Sequence, residues 1–201
     1  DLDGDGRDEP VILFDYDGGR YIYGVNADGE EFGQEITEWI GGWEINDGPV
    51  AISSGDLNGD VNAEVVALWD GEWGGWYNSY LVAFSAVSGS DGGESSELLS
   101  HELEADYALD LTVGDSDMDD DSEIYVLTQE GEIEMIMVSS SGISSTQYAS
   151  SPSVTGTPTR IALADHDGDS PRATLVGDVE ECTGNVVPII HLTFPPYDKD
   201  H

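Results

Sequence analysis

An acidic nonapeptide recurs along this chain: Asp1-Leu-Asp-Gly-Asp-Gly-Arg-Asp-Glu9, Asp56-Leu-Asn-Gly-Asp-Val-Asn-Ala-Glu64 and Asp115-Ser-Asp-Met-Asp-Asp-Asp-Ser-Glu123. A degraded fourth copy reads Asp165-His-Asp-Gly-Asp-Ser-Pro-Arg-Ala173. Oxygen-bearing side chains stand at positions 1, 3, 5 and 9 of the three full copies. Alternate spacing lets three of them point inward while the residues between turn outward. Hard cations such as Ca2+ take six to eight oxygen ligands from carboxylates, amides, backbone carbonyls and water. The motif therefore predicts a calcium loop, and its recurrence predicts a repeat protein.

The flanks decide what kind of loop it is. A helix–loop–helix calcium site has twelve positions and a bidentate Glu at the last. Here the last acid comes at position 9, between short apolar runs rich in β-branched residues. Upstream stand Val50–Gly55, Leu109–Gly114 and Arg160–Ala164; downstream stand Pro10–Phe14, Val65–Trp69 and Ile124–Thr128. Such runs read as strands, so each loop is expected to join two strands of a hairpin. The loops begin 55, 59 and 50 residues apart, a period that points to solenoids, propellers or arrays. One period holds four strands: Val50–Gly55, Glu64–Trp69, Ser79–Val87 and Glu97–Leu103 in the second repeat. The third gives Leu109–Gly114, Glu123–Thr128, Glu132–Val138 and about Gly142–Tyr148. Four short strands joined by Gly-rich turns make a propeller blade, and no stretch has a helical period. The expected fold is all-β: blades of four antiparallel strands, about three and a half of them, in a larger ring of about seven.

An apolar strand, Gly-Asp, an acidic loop and a second strand together resemble the FG-GAP/VCBS repeat, which builds the β-propellers of integrin α-subunits and of many secreted microbial proteins. The resemblance spans residues 1–194. It implies side-chain ligands at loop positions 1, 3, 5 and 9 and a backbone carbonyl at position 7. Those are Asp1, Asp3, Asp5, Arg7 and Glu9; Asp56, Asn58, Asp60, Asn62 and Glu64; and Asp115, Asp117, Asp119, Asp121 and Glu123. The fourth loop offers Asp165, Asp167 and Asp169, but Ala173 replaces its last acid and Arg172 adds a cation. Both changes weaken affinity for a divalent ion. Three calcium sites are expected, with the fourth weak or empty.

The chain opens inside a loop, which suggests a piece of a larger propeller, and residues 195–201 read as an exit linker after a closing strand within Asn185–Phe194. Formal net charge is −38, from 43 acidic and five basic residues. The four loops hold only 17 of those acids, so the excess is a property of the whole surface. Such a surface repels itself in dilute buffer, and in molar salt the screening length falls to about 3 Å. Near-absence of lysine beside this excess points to a halophilic protein, with an acidic extracellular protein from an ordinary habitat as the alternative. The charge disfavours nucleic acid and anionic lipid, and no apolar run is long enough for a membrane helix. Cys182 is the one cysteine, so no internal disulfide is possible.

Beyond the loops, Trp69–Tyr80 holds three tryptophans and two tyrosines among glycines and carboxylates. Read as a connection between two strands, it could stack on sugars through Trp73, Trp76 and Tyr77, or pack between blades; packing is the commoner fate of large aromatics. Trp39 and Trp43, around Ile40-Gly-Gly42, read as core and bulge. His101, His166, His191 and His201 are scattered, and no nucleophile elbow, phosphate loop or Cys/His cluster is present. No enzyme is expected. The functional expectation is a calcium-binding propeller module, extracellular or at the cell surface, acting in adhesion, ligand recognition or surface assembly. Its partners would be protein or glycan ligands or neighbouring subunits, without nucleic acid or membrane insertion. A lectin-like propeller using residues 69–80, or a non-catalytic propeller attached to a polysaccharide-active enzyme, are the alternatives.

Overall fold

The computed structural model describes residues 2, 6–16, 19–25, 29, 31–36, 39–40, 43–44, 49–60, 62–73, 76–85, 96–103, 107–115, 121–139, 142–150, 160–163, 174–176 and 189–191. Among these there is no helix, and hence none long and apolar enough to cross a membrane. All strand pairing is antiparallel. The first sheet is β1 (Val11–Tyr16), β2 (Gly19–Val25) and β3 (Glu31–Ile36), followed by a two-residue ribbon of β4 (Trp39–Ile40) and β5 (Trp43–Glu44). The second sheet is β6 (Pro49–Gly55), β7 (Glu64–Trp73), β8 (Trp76–Ser85) and β9 (Ser96–Glu102), paired in that order. The third repeats the arrangement with β10 (Ala108–Gly114), β11 (Glu123–Thr128), β12 (Glu132–Ser139) and β13 (Gly142–Ser150). A final ribbon joins β14 (Thr174–Val176) to β15 (Ile189–His191).

The second and third sheets share register as well as order. Each loop is closed by a pair between the glycine before it and the glutamate that ends it, Gly55 with Glu64 and Gly114 with Glu123. In each, the first strand carries a bulge five residues before that glycine, where Val50 and Leu109 have no opposite partner. An extra residue bends a strand and increases its twist, so the two sheets are shaped alike.

Alternation along the strands gives each sheet two apolar faces, and the sheets stack through them. Val11, Leu13 and Ile22 of the first sheet meet Val65, Ala67, Trp69, Val82 and Phe84 of the second. From the opposite face of the second sheet, Val66, Leu68, Leu81 and Ala83 meet Leu111, Ile124, Val126, Ile136 and Val138 of the third. The far face of the third sheet, including Tyr125, Leu127 and Ile133, is capped by Ile161. Strands buried on both faces read as continuous apolar runs, which is why Val65–Trp69 shows no polar alternation. His101 on β9 faces Glu134 on β12 across the sheet boundary, with Nε2 and Oε1 3.5 Å apart.

Two expectations are corrected. Trp69–Tyr80 is not a connection: β7 and β8 pair through it until Trp73 faces Trp76. Within it Trp69 and Tyr80 are fully buried. Asp70 is accommodated in the ladder because Ser79 Oγ donates to its carboxylate at 2.7 Å, while Ala108 N–H donates to Ser79 Oγ at 2.8 Å. Arg160–Leu163 does not form a strand. It lies along the third sheet, with the Ile161 N–H donating to Asp110 Oδ2 at 2.9 Å and Ile161 filling the apolar face. The side chains of Trp39, Trp43, Trp73, Trp76 and Tyr77 lie outside the described residues.

The glycine before each loop marks where successive repeats touch. A Cβ on Gly55 would stand 2.5 Å from Val113 Cγ1 and 2.9 Å from Ser122 Oγ; one on Gly114 would stand 2.8 Å from Leu163 Cδ1. Val113 and Leu163 each lie two residues before the next nonapeptide, so the same contact occurs twice. Gly55→Ala is therefore expected to lower stability by about 1–3 kcal/mol, as overpacking does. Urea unfolding in saturating divalent cation would measure it; an unshifted midpoint would mean that the two repeats do not press together there.

Candidate metal centre

The second loop, Asp56–Glu64, is described at every position but 61. Its winding comes from side chains capturing backbone. Asp56 Oδ1 accepts from the N–H groups of Asn58 (3.3 Å), Gly59 (2.8 Å) and Asp60 (3.2 Å). Asn58 Oδ1 accepts from Asp60 N–H and Asp60 Oδ1 from Asn62 N–H, both at 2.9 Å. Three successive turns of this kind, each reaching two residues ahead, are what Asp and Asn offer a backbone. They explain why the oxygens fall on alternate positions. Gly59 takes φ +72°, a left-handed conformation that costs glycine little.

Glu64 closes the loop from its far end. The side chain is buried, Oε2 accepts from Leu57 N–H at 2.9 Å, and Oε1 accepts from Asn58 Nδ2 at 3.1 Å. Leu57 itself is buried between the second and third sheets. The first loop repeats the device: Leu2 is buried and its N–H donates to Glu9 Oε2 at 2.6 Å. An apolar residue at position 2 that seats the loop and offers its N–H to the position-9 carboxylate was not foreseen. Its only sequence signal is Leu2 and Leu57 standing alone among polar neighbours.

Adjacent loops also meet. Ser122 N–H, in the third loop, donates to the Asp56 carbonyl at 2.6 Å, and a Cβ on Gly59 would collide with Asp121 Oδ1. Asp121, expected to contribute a carbonyl to its own loop, thus sets its carboxylate against the preceding one. Asp115 and Glu123 are the other described members of the third set, and Glu123 is buried. Arg7 and Glu9 are described in the first set, with Arg7 exposed. Asp1, Asp3, Asp5, Asp117, Asp119, Asp165, Asp167 and Asp169 lie outside the described residues.

Two features of the described residues suit a hard cation. Burial pushes the Glu64 carboxyl up to about 7, with Leu57 N–H pulling against it and the charges of Asp60 and Asp56 adding to it. Glu9 Oε1 is buried with no hydrogen-bond donor against it. A carboxylate held among other carboxylates is stabilised by an ion of opposite charge, and an all-oxygen donor set suits Ca2+ rather than a soft metal. Among the described residues no group of three or more His, Cys, Asp or Glu could by itself hold a metal.

The Glu64 shift gives a pH signature in the metal-depleted protein. The folded carboxyl keeps its proton up to about 7, whereas a glutamate in the unfolded chain loses it near 4.5. Between those values the folded state binds more protons than the unfolded state, so stability falls as pH rises. Below the window the group contributes no slope, and above it the loss is complete. Relative to Glu64→Gln, the wild type should lose roughly 1–3 kcal/mol from pH 4.5 to 7.5, measured by urea unfolding in metal-free buffer. Parallel profiles for the two proteins would count against this assignment.

The chain matches no family model and no curated protein. The repeated loop and the geometry that encloses it carry the functional reading.

Proposed function

We propose that the chain is a calcium-binding β-propeller module of an exported or cell-surface protein, with its sheets as blades and its acidic loops as ion sites. The observation that carries this reading is the second loop, whose side-chain oxygens at alternate positions are wound by their own backbone and closed by the buried Glu64. The Leu2–Glu9 closure in the first loop supports extending it along the chain. The matched bulges and glycine contacts support the blade reading, because one rotation repeated between neighbours is what a propeller requires.

In this reading Asp56, Asn58, Asp60 and Glu64 would hold the ion through side chains and Asn62 through its carbonyl. The corresponding positions would act in the first and third loops. Bound calcium supplies charge neutralisation where carboxylates crowd. The chain's own residues do the rest: the Asp and Asn side chains wind the turn, Leu57 seats it, and Glu64 ties its end to its start. Adhesion, recognition or surface assembly is the service such a rigid, calcium-fixed module gives, and the acidic surface fits work in concentrated salt.

Calorimetric titration of the calcium-stripped protein tests the reading, with binding at about three sites expected. Glu64→Gln should remove one site or weaken it by at least about tenfold, since it deletes a carboxylate ligand. No heat of binding at millimolar calcium in the wild type would sink the proposal.

A further inference from the structure

The end of the third nonapeptide lies against the start of the second. Ser122, position 8 of the third, donates its N–H to the carbonyl of Asp56, position 1 of the second, at 2.6 Å. The same serine stands beside Gly55, where a Cβ would lie 2.9 Å from its Oγ. One residue earlier, the Asp121 carboxylate sits so close to Gly59 that a Cβ there would collide with it. Residues 121 and 122 thus meet the second loop at its first and fourth positions. The preceding pair of loops has a like arrangement. Ala63, position 8 of the second loop, packs on the cluster that contains Leu2, position 2 of the first.

A single peptide unit joins the two loops. The carbonyl of Asp56 and the N–H of Leu57 belong to one rigid amide plane. Its carbonyl accepts from Ser122 in the third loop, and its N–H donates to Glu64 Oε2, which closes the second. Hydrogen bonds in such a chain polarise and strengthen one another. Asp56 is also the residue about which its loop winds, since its Oδ1 accepts from the N–H groups of Asn58, Gly59 and Asp60. On the other side, Ser122 stands between Asp121 and Glu123, which supply a carbonyl and a carboxylate to the third loop's ion in the calcium reading. Whatever fixes those two residues fixes the Ser122 N–H, and through it the peptide that holds Glu64.

We propose that the second and third loops bind calcium cooperatively, occupancy of each raising the affinity of the other through the Ser122–Asp56 hydrogen bond and the Asp121–Gly59 contact. This rests on the calcium reading and adds to it how the sites are regulated. Order imposed on one loop need not be imposed again when the neighbouring ion binds, which is positive coupling without a large change of shape. Simple electrostatics has the opposite sign, because each bound ion removes negative charge that attracts the next. Gly59 and Asp60 are exposed, so that opposing effect is screened in molar salt, where the Debye length is about 3 Å. The hydrogen-bonded contact is not screened in this way. In concentrated salt the two loops should therefore fill together, over a narrower range of calcium than independent sites would need.

Titration of the calcium-stripped 201-residue chain with CaCl2 in molar KCl tests this by NMR, with the amides of Asp60 and Asp115 reporting on the second and third loops. Glu123→Gln, which deletes a carboxylate of the third loop, should weaken binding at the second by about fivefold or more. Glu64→Gln should weaken binding at the third by a similar factor, since coupling between two sites is reciprocal. Ser122→Pro removes the N–H that crosses between the loops, and Asp121→Ala removes the carboxylate against Gly59. In either background, adding Glu123→Gln should disturb the second loop less than it does in the wild type. Amide exchange follows the contact with Ser122 itself intact. In the Glu123→Gln chain, enough calcium to fill the second loop should slow exchange of the Ser122 N–H, which lies in the other loop. Equal affinities of the second loop in wild type and Glu123→Gln overturn the coupling and leave calcium binding standing. So does a Ser122 N–H that exchanges at the same rate with and without calcium, or a coupling factor that both Ser122→Pro and Asp121→Ala leave whole. Amide shifts at Asp60 and Asp115 that ignore calcium altogether overturn the calcium reading and the coupling with it.

Discussion

Removing divalent ions at fixed ionic strength is expected to lower the melting temperature by roughly 15–30 °C. The size follows from linkage. An ion bound only by the folded state adds about 2.7 kcal/mol per site when it is present at a hundred times its Kd. Three sites give about 8 kcal/mol, and a chain of this length shifts by about 2–4 °C per kcal/mol. The physical source is visible in the second loop, where Glu64 is buried near the charges of Asp56 and Asp60. Without a cation that arrangement opposes folding. Added sodium at equal ionic strength screens the surface but cannot serve as a divalent ligand centre, so it should restore little. Magnesium should restore less than calcium, because it demands near-ideal octahedral geometry and dehydrates reluctantly. Scanning calorimetry in calcium, in magnesium and in chelator decides the matter. Superimposable traces in all three would leave the loops as hydrogen-bonded turns and nothing more.

What could be read from the sequence follows from how local each determinant is. The pairing of Glu123–Thr128 with its neighbours was legible because β-branched and aromatic residues form an unbroken run there. The place of the second loop between β6 and β7 was legible because its polar residues separate two apolar runs; its winding by Asp and Asn side chains that capture backbone two residues ahead was not foreseen. The β7–β8 hairpin was misread because Asp70, Gly71 and Glu72 have poor strand propensity. Cross-strand pairing outweighs it, and the Ser79 hydroxyl satisfies Asp70 from nine residues away. Arg160–Leu163 has strand composition, yet its fate depends on Asp110, fifty-one residues from Ile161, and on the third sheet's open apolar face. Contacts between repeats were not legible at all. Asp121 against Gly59 and Ser122 against Asp56 join different nonapeptides, and no spacing within one motif can announce them.

Leu57→Ala tests the least obvious part of the site, and its expected cost is about 2–5 kcal/mol, the range for emptying a buried leucine position. Leu57 is 0 % exposed and packs with Val66, Leu68, Leu111 and Ile124. The loop's second residue therefore belongs to the core between two sheets. Its N–H also donates to Glu64 Oε2, so a cavity beneath it should loosen the carboxylate that closes the loop. Leu57→Met, which keeps the volume, should cost less than about 1.5 kcal/mol. Urea unfolding of both variants in saturating calcium gives the stabilities, and calorimetric titration gives the affinities. If packing and ligation are coupled as the geometry implies, Leu57→Ala and Glu64→Gln will be non-additive by at least about 0.5 kcal/mol. Strict additivity would separate them, making Leu57 a core residue that happens to adjoin a loop. A loss below about 1 kcal/mol for Leu57→Ala would go further and remove the side chain from the core. Non-additivity would instead mean that the repeat's apolar stack and its acidic loops are one structure, in which filling the interior sets how firmly the rim can hold charge.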